Sequence, residues 1–229
     1  MFKVRLLSRF NPRQRKRALL GLTMAALVSC AATALIRPVE IEDLSEDNRH
    51  ELSHLLDQWE DGNVIVLLRH LERCDKEDHP CLHGNKGVTS RSVSVGHGLA
   101  QSFSQLGLDN ADIYNSPLTR TAQTESIVFG DAGIDKDWLY KCRESMLEDA
   151  LKTKTPGKNL ILVTHSSCIS KFEEALGYES ERPEYGTSLF FTESAKPDAL
   201  DVLGFLDAND WTVALEALER KAENTDHSS

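Results

Sequence analysis

The chain has 229 residues, 36 acidic and 26 basic, for a formal net charge of −10 with histidines neutral. At about 100–200 residues per domain, that length suits one compact domain with a small appendage. Its 40% apolar content supports a buried core and excludes a mainly disordered chain. The acidic excess excludes non-specific nucleic-acid binding, which needs a basic footprint.

Charge divides the chain at residue 37. Residues 1–37 hold eight Lys or Arg and no acid, which leaves 18 basic against 36 acidic residues, a net −18, in the remainder. After the basic stretch 13–17, residues 18–36 (ALLGLTMAALVSCAATALI) run for nineteen positions without a charge. That is close to the roughly 20 residues a helix needs to span a bilayer. The basic flank favours the cytoplasm and sends the chain beyond residue 37 outward. Residues 1–37 therefore read as a hydrophobic helix serving as a signal anchor, or as a signal peptide cleaved after Ala32-Thr33-Ala34. A third form is a lipoprotein leader, since Leu27-Val28-Ser29-Cys30 resembles a lipobox. All three make the membrane a partner of the N-terminal segment and put the rest outside the cytoplasm. The expected location is the periplasmic side of a bacterial envelope, anchored or, after cleavage, soluble.

Residues 38–61 read as an acidic amphipathic linker helix, 62–222 as the working domain and 223–229 as a polar tail. Within the domain, residues 63–69 (NVIVLLR) form a short apolar run typical of a buried parallel strand. Residues 71–88 are a polar loop. Thr89 is placed to cap a helix reaching about residue 105. A brief strand at 112–115 precedes a helix over 118–129, with Pro117 at its permitted first-turn position. A short strand near 138–140 and a helix near 144–153 come next. Residues 159–164 (NLILVT) repeat the buried-strand pattern, 167–176 read as a helix, 186–193 and 201–207 as a pair of edge strands, and 209–221 as the last helix. Strands alternating with helices predict an α/β domain, a three-layer α/β/α sandwich around a mostly parallel sheet.

Cys30 belongs to the leader, and Cys74, Cys81, Cys142 and Cys168 remain. Four cysteines in an oxidising compartment favour disulfides, with three connectivities open. Cys74 with Cys81 and Cys142 with Cys168 is the expected pairing, because the first two bracket a short Pro-containing loop. A metal site built from Cys74, His79, Cys81 and His83 is the alternative, although its spacing fits no standard zinc pattern.

In an α/β fold, ligands gather beyond the carboxyl ends of the strands. The two strongest strand signals end in Arg69-His70 and in His165. Arg49-His50 supplies an internal control: the same dipeptide lies there in a polar helical stretch. The third element, Ser116 to Thr124 (SPLTRTAQT), enters a helix and projects Arg120 from an N-terminus that favours an anion. With Arg73, the expected pocket holds several guanidiniums and two imidazoles. Arginine forks match phosphate oxygens, and a histidine among them can act as a nucleophile that carries the phosphoryl group.

These motifs resemble the histidine phosphatase (phosphoglycerate mutase-like) superfamily. Within it, Arg69 to Asp75 (RHLERCD), Cys81-Leu82, Gly87-Val88-Thr89, and Thr164-His165 with Cys168 resemble the periplasmic lipopolysaccharide core heptose-phosphate phosphatases. The resemblance covers about residues 62–207. It implies phosphomonoester hydrolysis without a metal or other cofactor, with His70 as nucleophile and Arg69, Arg73, Arg120 and His165 as phosphate ligands. Leu71 stands where the family usually has Gly or Ala. The general acid is not given by the motif: Glu144 is the candidate, with Asp137 and Glu72 behind it.

The expected function is an exported phosphomonoesterase working through a phospho-histidine, on a small phosphorylated substrate or on the lipopolysaccharide core. The alternatives are a phosphate-binding module of the same fold, a phosphatase for protein phospho-histidine and, least favoured, a sugar-phosphate mutase.

Overall fold

The structure, a computed structural model, describes residues 40–45, 49–142, 145–180, 182–194 and 199–216. The hydrophobic leader with Cys30, the candidate acid Glu144, the end of the last helix and the polar tail lie outside them. Among the described residues no helix is long and apolar enough to cross a membrane.

In chain order the elements are α1 (Arg49–Glu60), β1 (Val64–Arg69), α2 (Ser92–Leu106), β2 (Ala111–Asn115), α3 (Thr119–Phe129) and β3 (Ile134–Asp135), followed by a 3₁₀ turn (Asp137–Leu139). Then come α4 (Met146–Thr153), β4 (Asn159–Thr164), α5 (Ser166–Leu176), β5 (Ser188–Glu193) and β6 (Leu200–Leu206). Residues 211–216 form α6. The strands make one sheet in the order β3-β2-β4-β1-β5-β6.

The fold is α/β, with helices on both faces of the sheet. Val64, Val66 and Leu68 of β1 face one core with side chains from α1, α2, α3 and α6. Ile65 and Leu67 face the other, with side chains from α4 and α5. Both β1 and β4 are buried along their whole length, as continuous apolar runs covered on two sides require.

The sheet corrects the expectation of a mostly parallel one: it is mixed. Strands β3, β2, β4 and β1 are parallel, but β5 runs antiparallel to β1, and β6 antiparallel to β5. Only residues 194–199 separate Glu193 from Leu200, too few for the crossover of a dozen or more residues that a parallel pair needs. Nor are both strands at the edge. β5 lies between β1 and β6 and is buried except at Glu193.

Four local expectations shift. α1 is part of the core rather than a linker, since Leu52, Leu55 and Trp59 are buried and Trp59 Nε1 donates to the Gly107 carbonyl at 3.0 Å. The strand expected near 138–140 is instead the two-residue β3 followed by the 3₁₀ turn. Leu139 is buried there, and its carbonyl accepts from Thr164 Oγ1 at 2.9 Å. Thr89 does not cap α2, because its hydroxyl donates to Glu72 at 2.8 Å and the helix begins at Ser92. Pro117 precedes α3 instead of opening it.

Asn159 joins the start of the sheet to α1: its side chain accepts from Val64 N–H at 3.0 Å and donates to the Trp59 carbonyl at 2.8 Å. The intervening turn needs glycine at position 62. There φ is +71°, and a Cβ would lie 2.2 Å from the Gly157 carbonyl oxygen.

Phe103 is the centre of the aromatic core, with ring centroids 4.7 Å from Trp211, 5.1 Å from Phe129 and 6.4 Å from Trp59. Phe103→Ala is expected to destabilise the fold by about 3–5 kcal/mol through lost burial and an unfilled cavity. Urea titration followed by tryptophan fluorescence measures it.

Candidate active site

The site is built by strand register. β1 and β4 are neighbours with Arg69 opposite Thr164, and His70 N–H donates to the Thr164 carbonyl at 3.1 Å. The residues leaving the two strands, His70 and His165, therefore emerge side by side, with ring centroids 5.4 Å apart. β2 lies on the other side of β4, with Asn115 opposite Val163. Ser116 consequently emerges beside His165. Three residues far apart in sequence meet at the carboxyl ends of adjacent parallel strands, where α/β folds bind ligands.

Both histidines are buried, His70 to 3% and His165 to 5% exposure. His70 Nδ1 lies 2.7 Å from the Leu71 carbonyl oxygen. A carbonyl only accepts, so Nδ1 carries the proton and Nε2 keeps its lone pair. Arg120 Nε donates to that Nε2 at 3.2 Å. Burial, then the Coulomb fields of His165, Arg120 and Arg69, pushes the His70 pKa well below 6.5, although the bond to Leu71 opposes the shift. His165 falls to about 3, first through burial and then through Arg120 and Arg73. Near neutral pH both rings are uncharged. Ser116 Oγ lies 2.8 Å from His165 Nε2.

Arg69 is buried with its guanidinium 3.9 Å above the Tyr185 ring. It donates from Nη1 to the Pro183 carbonyl. Arg73 forks onto Asp75 at 2.8 and 2.5 Å. Arg120 is half-buried at the start of α3, and the loop after β1 is tied to that helix by Leu71 N–H donating to Thr124 Oγ1 at 2.9 Å. Arg69 Nε and His165 Nδ1 are buried with no hydrogen-bond partner among the described residues. Guanidiniums beside two neutral imidazoles, with buried nitrogens still to be satisfied, form a site whose charge and donors suit a tetrahedral oxyanion.

Arg69, His70, Arg120 and His165 come together as expected from sequence. Arg73 is close enough for its charge to act on Arg120 and His165. The alternative acids are engaged elsewhere. Glu72 accepts from Arg91 Nε at 2.7 Å and from Thr89, and the Arg91 bond above all holds its carboxyl below the usual range. Asp137 is exposed and paired with Lys141 at 2.7 Å. The sulfurs pair as Cys74–Cys81 and Cys142–Cys168. A sulfur bonded to another offers no thiolate to a metal, and the described residues hold no cluster that could bind one. Leu71 does not fill the site: it is a core residue packed on Gly96, where an added Cβ would lie 2.8 Å from Leu71 Cδ1.

Sequence reasoning missed Tyr185, which covers Arg69, and Tyr140, whose ring lies 6.0 Å from His165. It also missed Asp75 as the partner of Arg73. Only Ser116 carried a signal, as the residue directly after β2. Beside Tyr185 opens a cleft of about 510 Å³ with a mixed polar and apolar lining that includes Leu71, Glu72, Arg91, Asp207 and Asn209.

Fold and site together define an α/β protein with two buried histidines and a set of arginines at the carboxyl ends of its parallel strands. No protein-family model matches the chain. The lipopolysaccharide core heptose(II)-phosphate phosphatases of Escherichia coli O1:K1 / APEC and of E. coli O139:H28 (strain E24377A / ETEC) are each 32% identical to it over 128 residues, 53% of this chain and 62% of theirs. The chain thus spans less than two thirds of the length of the curated relatives it matches. Among solved structures, the protein histidine phosphatase SixA complexed with tungstate superposes with a TM-score of 0.54 at 12% identity, covering 64% of this chain and 98% of the other. That likeness is one of fold. In motif, in fold and in its relatives the chain is similar to the histidine phosphatase superfamily.

Depressed histidine pKa values couple this site to folding. Below pH 6.5 the unfolded chain binds protons that the folded site refuses. The stability associated with the two rings is thus full above about pH 6.5 and declines as pH falls below it, for His165 down to about 3 and by up to about 1.4 kcal/mol per pH unit. Urea unfolding at pH 7, 6, 5 and 4.5 should show that slope, and His165→Gln should make it shallower. An equal slope in the variant would contradict the assignment.

Proposed function

We propose that this protein is a phosphomonoesterase whose His70 Nε2 takes the phosphoryl group from its substrate and passes it to water. The observation that carries this reading is the bonding of His70: Nδ1 is committed to a backbone carbonyl, so the Nε2 lone pair is held beside Arg120 in a buried site. In the first step the Nε2–P bond forms and the P–O bond to the leaving group breaks. In the second, water attacks phosphorus, the P–N bond breaks, and phosphate leaves with His70 neutral again. Arg69, Arg73, Arg120 and His165 hold the equatorial oxygens, whose charge is spread in the transition state.

The leaving oxygen needs a proton, and Glu144 is assigned to give it in the first step and to recover one from the attacking water in the second. Glu72 and Asp137 are both occupied by ion pairs. Cys142, two residues before Glu144, is joined to Cys168, three residues after His165. The substrate class is drawn from the relatives, whose names specify a heptose phosphate of the lipopolysaccharide core. The cleft beside Tyr185 includes acceptors and donors a sugar would use, such as Asp207 and Asn209. Export is supported by the basic and hydrophobic leader and by two disulfides, which persist in oxidising compartments. The working location is accordingly the periplasmic side of the envelope.

The purified chain should hydrolyse p-nitrophenyl phosphate in EDTA, and His70→Ala should reduce kcat/KM by at least about 1,000-fold, as loss of a nucleophile does. A phosphorylated His70 trapped by rapid acid-free quenching would identify the intermediate. Retained vanadate binding without turnover in the wild-type protein would refute hydrolysis and leave a binding module.

A further inference from the structure

We propose that Ser116 is a positioning residue that fixes His165 in the Nδ1–H tautomer, so that the ring donates a hydrogen bond from Nδ1 to a phosphoryl oxygen. The catalytic consequence rests on the phosphatase reading above; the tautomer does not.

Ser116 is fully buried, and its backbone is held on both sides. Its N–H donates to the Val163 carbonyl at 3.0 Å, and its carbonyl accepts from Thr121 Oγ1 at 2.7 Å and Asn115 Nδ2 at 3.2 Å. Its hydroxyl has one partner among the described residues, His165 Nε2 at 2.8 Å. A hydroxyl always carries a proton, and a buried proton without an acceptor is costly. If Nε2 were protonated and donated to Ser116, the serine proton would have nowhere to go. The stable arrangement has Ser116 Oγ–H donating to the Nε2 lone pair, which leaves the ring proton on Nδ1.

Nδ1 is itself buried and has no hydrogen-bond partner among the described residues. With a proton it is a donor for an anion. Without one it would turn a lone pair toward the phosphate oxygens. The surroundings make this choice decisive. Arg120 acts on the ring from α3 and Arg73 from the loop after β1, while His70 lies at 5.4 Å and Tyr140 at 6.0 Å between ring centroids. Two guanidiniums and burial oppose an imidazolium, which would have offered both N–H groups. A neutral ring has a single N–H, and the bond made by the other nitrogen selects where it sits. His70 reaches the same tautomer by the opposite device, donating Nδ1–H to a carbonyl. One ring thereby presents a nucleophilic lone pair and its neighbour a donor.

Long-range ¹H–¹⁵N imidazole spectra of the full chain near pH 7 test the tautomer without turnover. His165 should give an unprotonated Nε2 and a protonated Nδ1. Ser116→Ala should move it toward the Nε2–H form, and Ser116→Thr, which keeps the hydroxyl, should return it. With p-nitrophenyl phosphate, kcat/KM should fall about ten- to a hundredfold in Ser116→Ala, the scale typical of groups that orient an active-site histidine, and recover in Ser116→Thr. A protonated Nε2 in the wild-type protein overturns the proposal, and so does a Ser116→Ala spectrum identical to it. If Ser116→Thr fails to fold, the wild-type spectrum still decides. An altered tautomer with undiminished kcat/KM overturns the catalytic half. If the expected spectra are found in a wild-type protein that hydrolyses nothing, the tautomer assignment stands and the phosphatase reading falls.

Discussion

The parallel pairing of β1 with β4 is the constraint on which the site depends. Arg69 opposite Thr164 fixes His70 beside His165, and the next pairing, Asn115 opposite Val163, adds Ser116. A slip of one residue in either strand would turn every side chain to the opposite face. Each strand is packed on both sides, so register is enforced along its whole length by apolar side chains that take no part in the chemistry. Buried runs of Val, Ile and Leu thus act at a distance: they hold two imidazoles in contact without touching a substrate.

Given that geometry, the electrostatics is largely set. Two histidines buried among guanidiniums are more stable neutral than charged, so they repel neither each other nor the arginines. The site's cationic character comes from arginines, which keep their charge despite burial. Around it lies a domain with a net −18 beyond residue 37. An acidic body with one basic recess favours a small anion at a single place and repels polyanions elsewhere.

How much of this was legible in the sequence depends on whether the signal was local. VIVLLR and NLILVT announce themselves because a strand buried on both faces is an unbroken apolar run between its ends. The histidines at their ends inherit their meaning from those runs. Arg120 was legible for a related reason, lying just inside a helix after a strand. The orientation of β5 against β1 was not, since an apolar strand reads the same in both directions, and the short link 194–199 fixes only that β6 runs antiparallel to β5. Tyr185 and Pro183 reach Arg69 from a loop more than a hundred residues away, with no periodicity to betray them. Thr89 misled because a helix cap and a side-chain ligand for Glu72 call for the same hydroxyl. Leu71, larger than the residue the family usually has there, fits because of a Gly96 surface that sequence does not reveal.

The disulfides complete the logic of a site made from strand ends. The strands themselves are rigid, but the chain leaving them must hold Arg73 and Tyr140 in place with few apolar contacts. Cys74–Cys81 closes the loop directly after Arg73, whose backbone also bridges Val88, while Cys81 bridges Thr89. Cys142–Cys168 ties the segment carrying Tyr140 to the first turn of α5, next to His165. Each crosslink lies within two residues of a group that acts on or packs near His165. Loops are where a small domain has least packing with which to oppose conformational entropy, and a covalent crosslink restricts the unfolded chain without needing a core. In this fold the sheet fixes the histidines, and the sulfur bridges do the same for the loops that surround them.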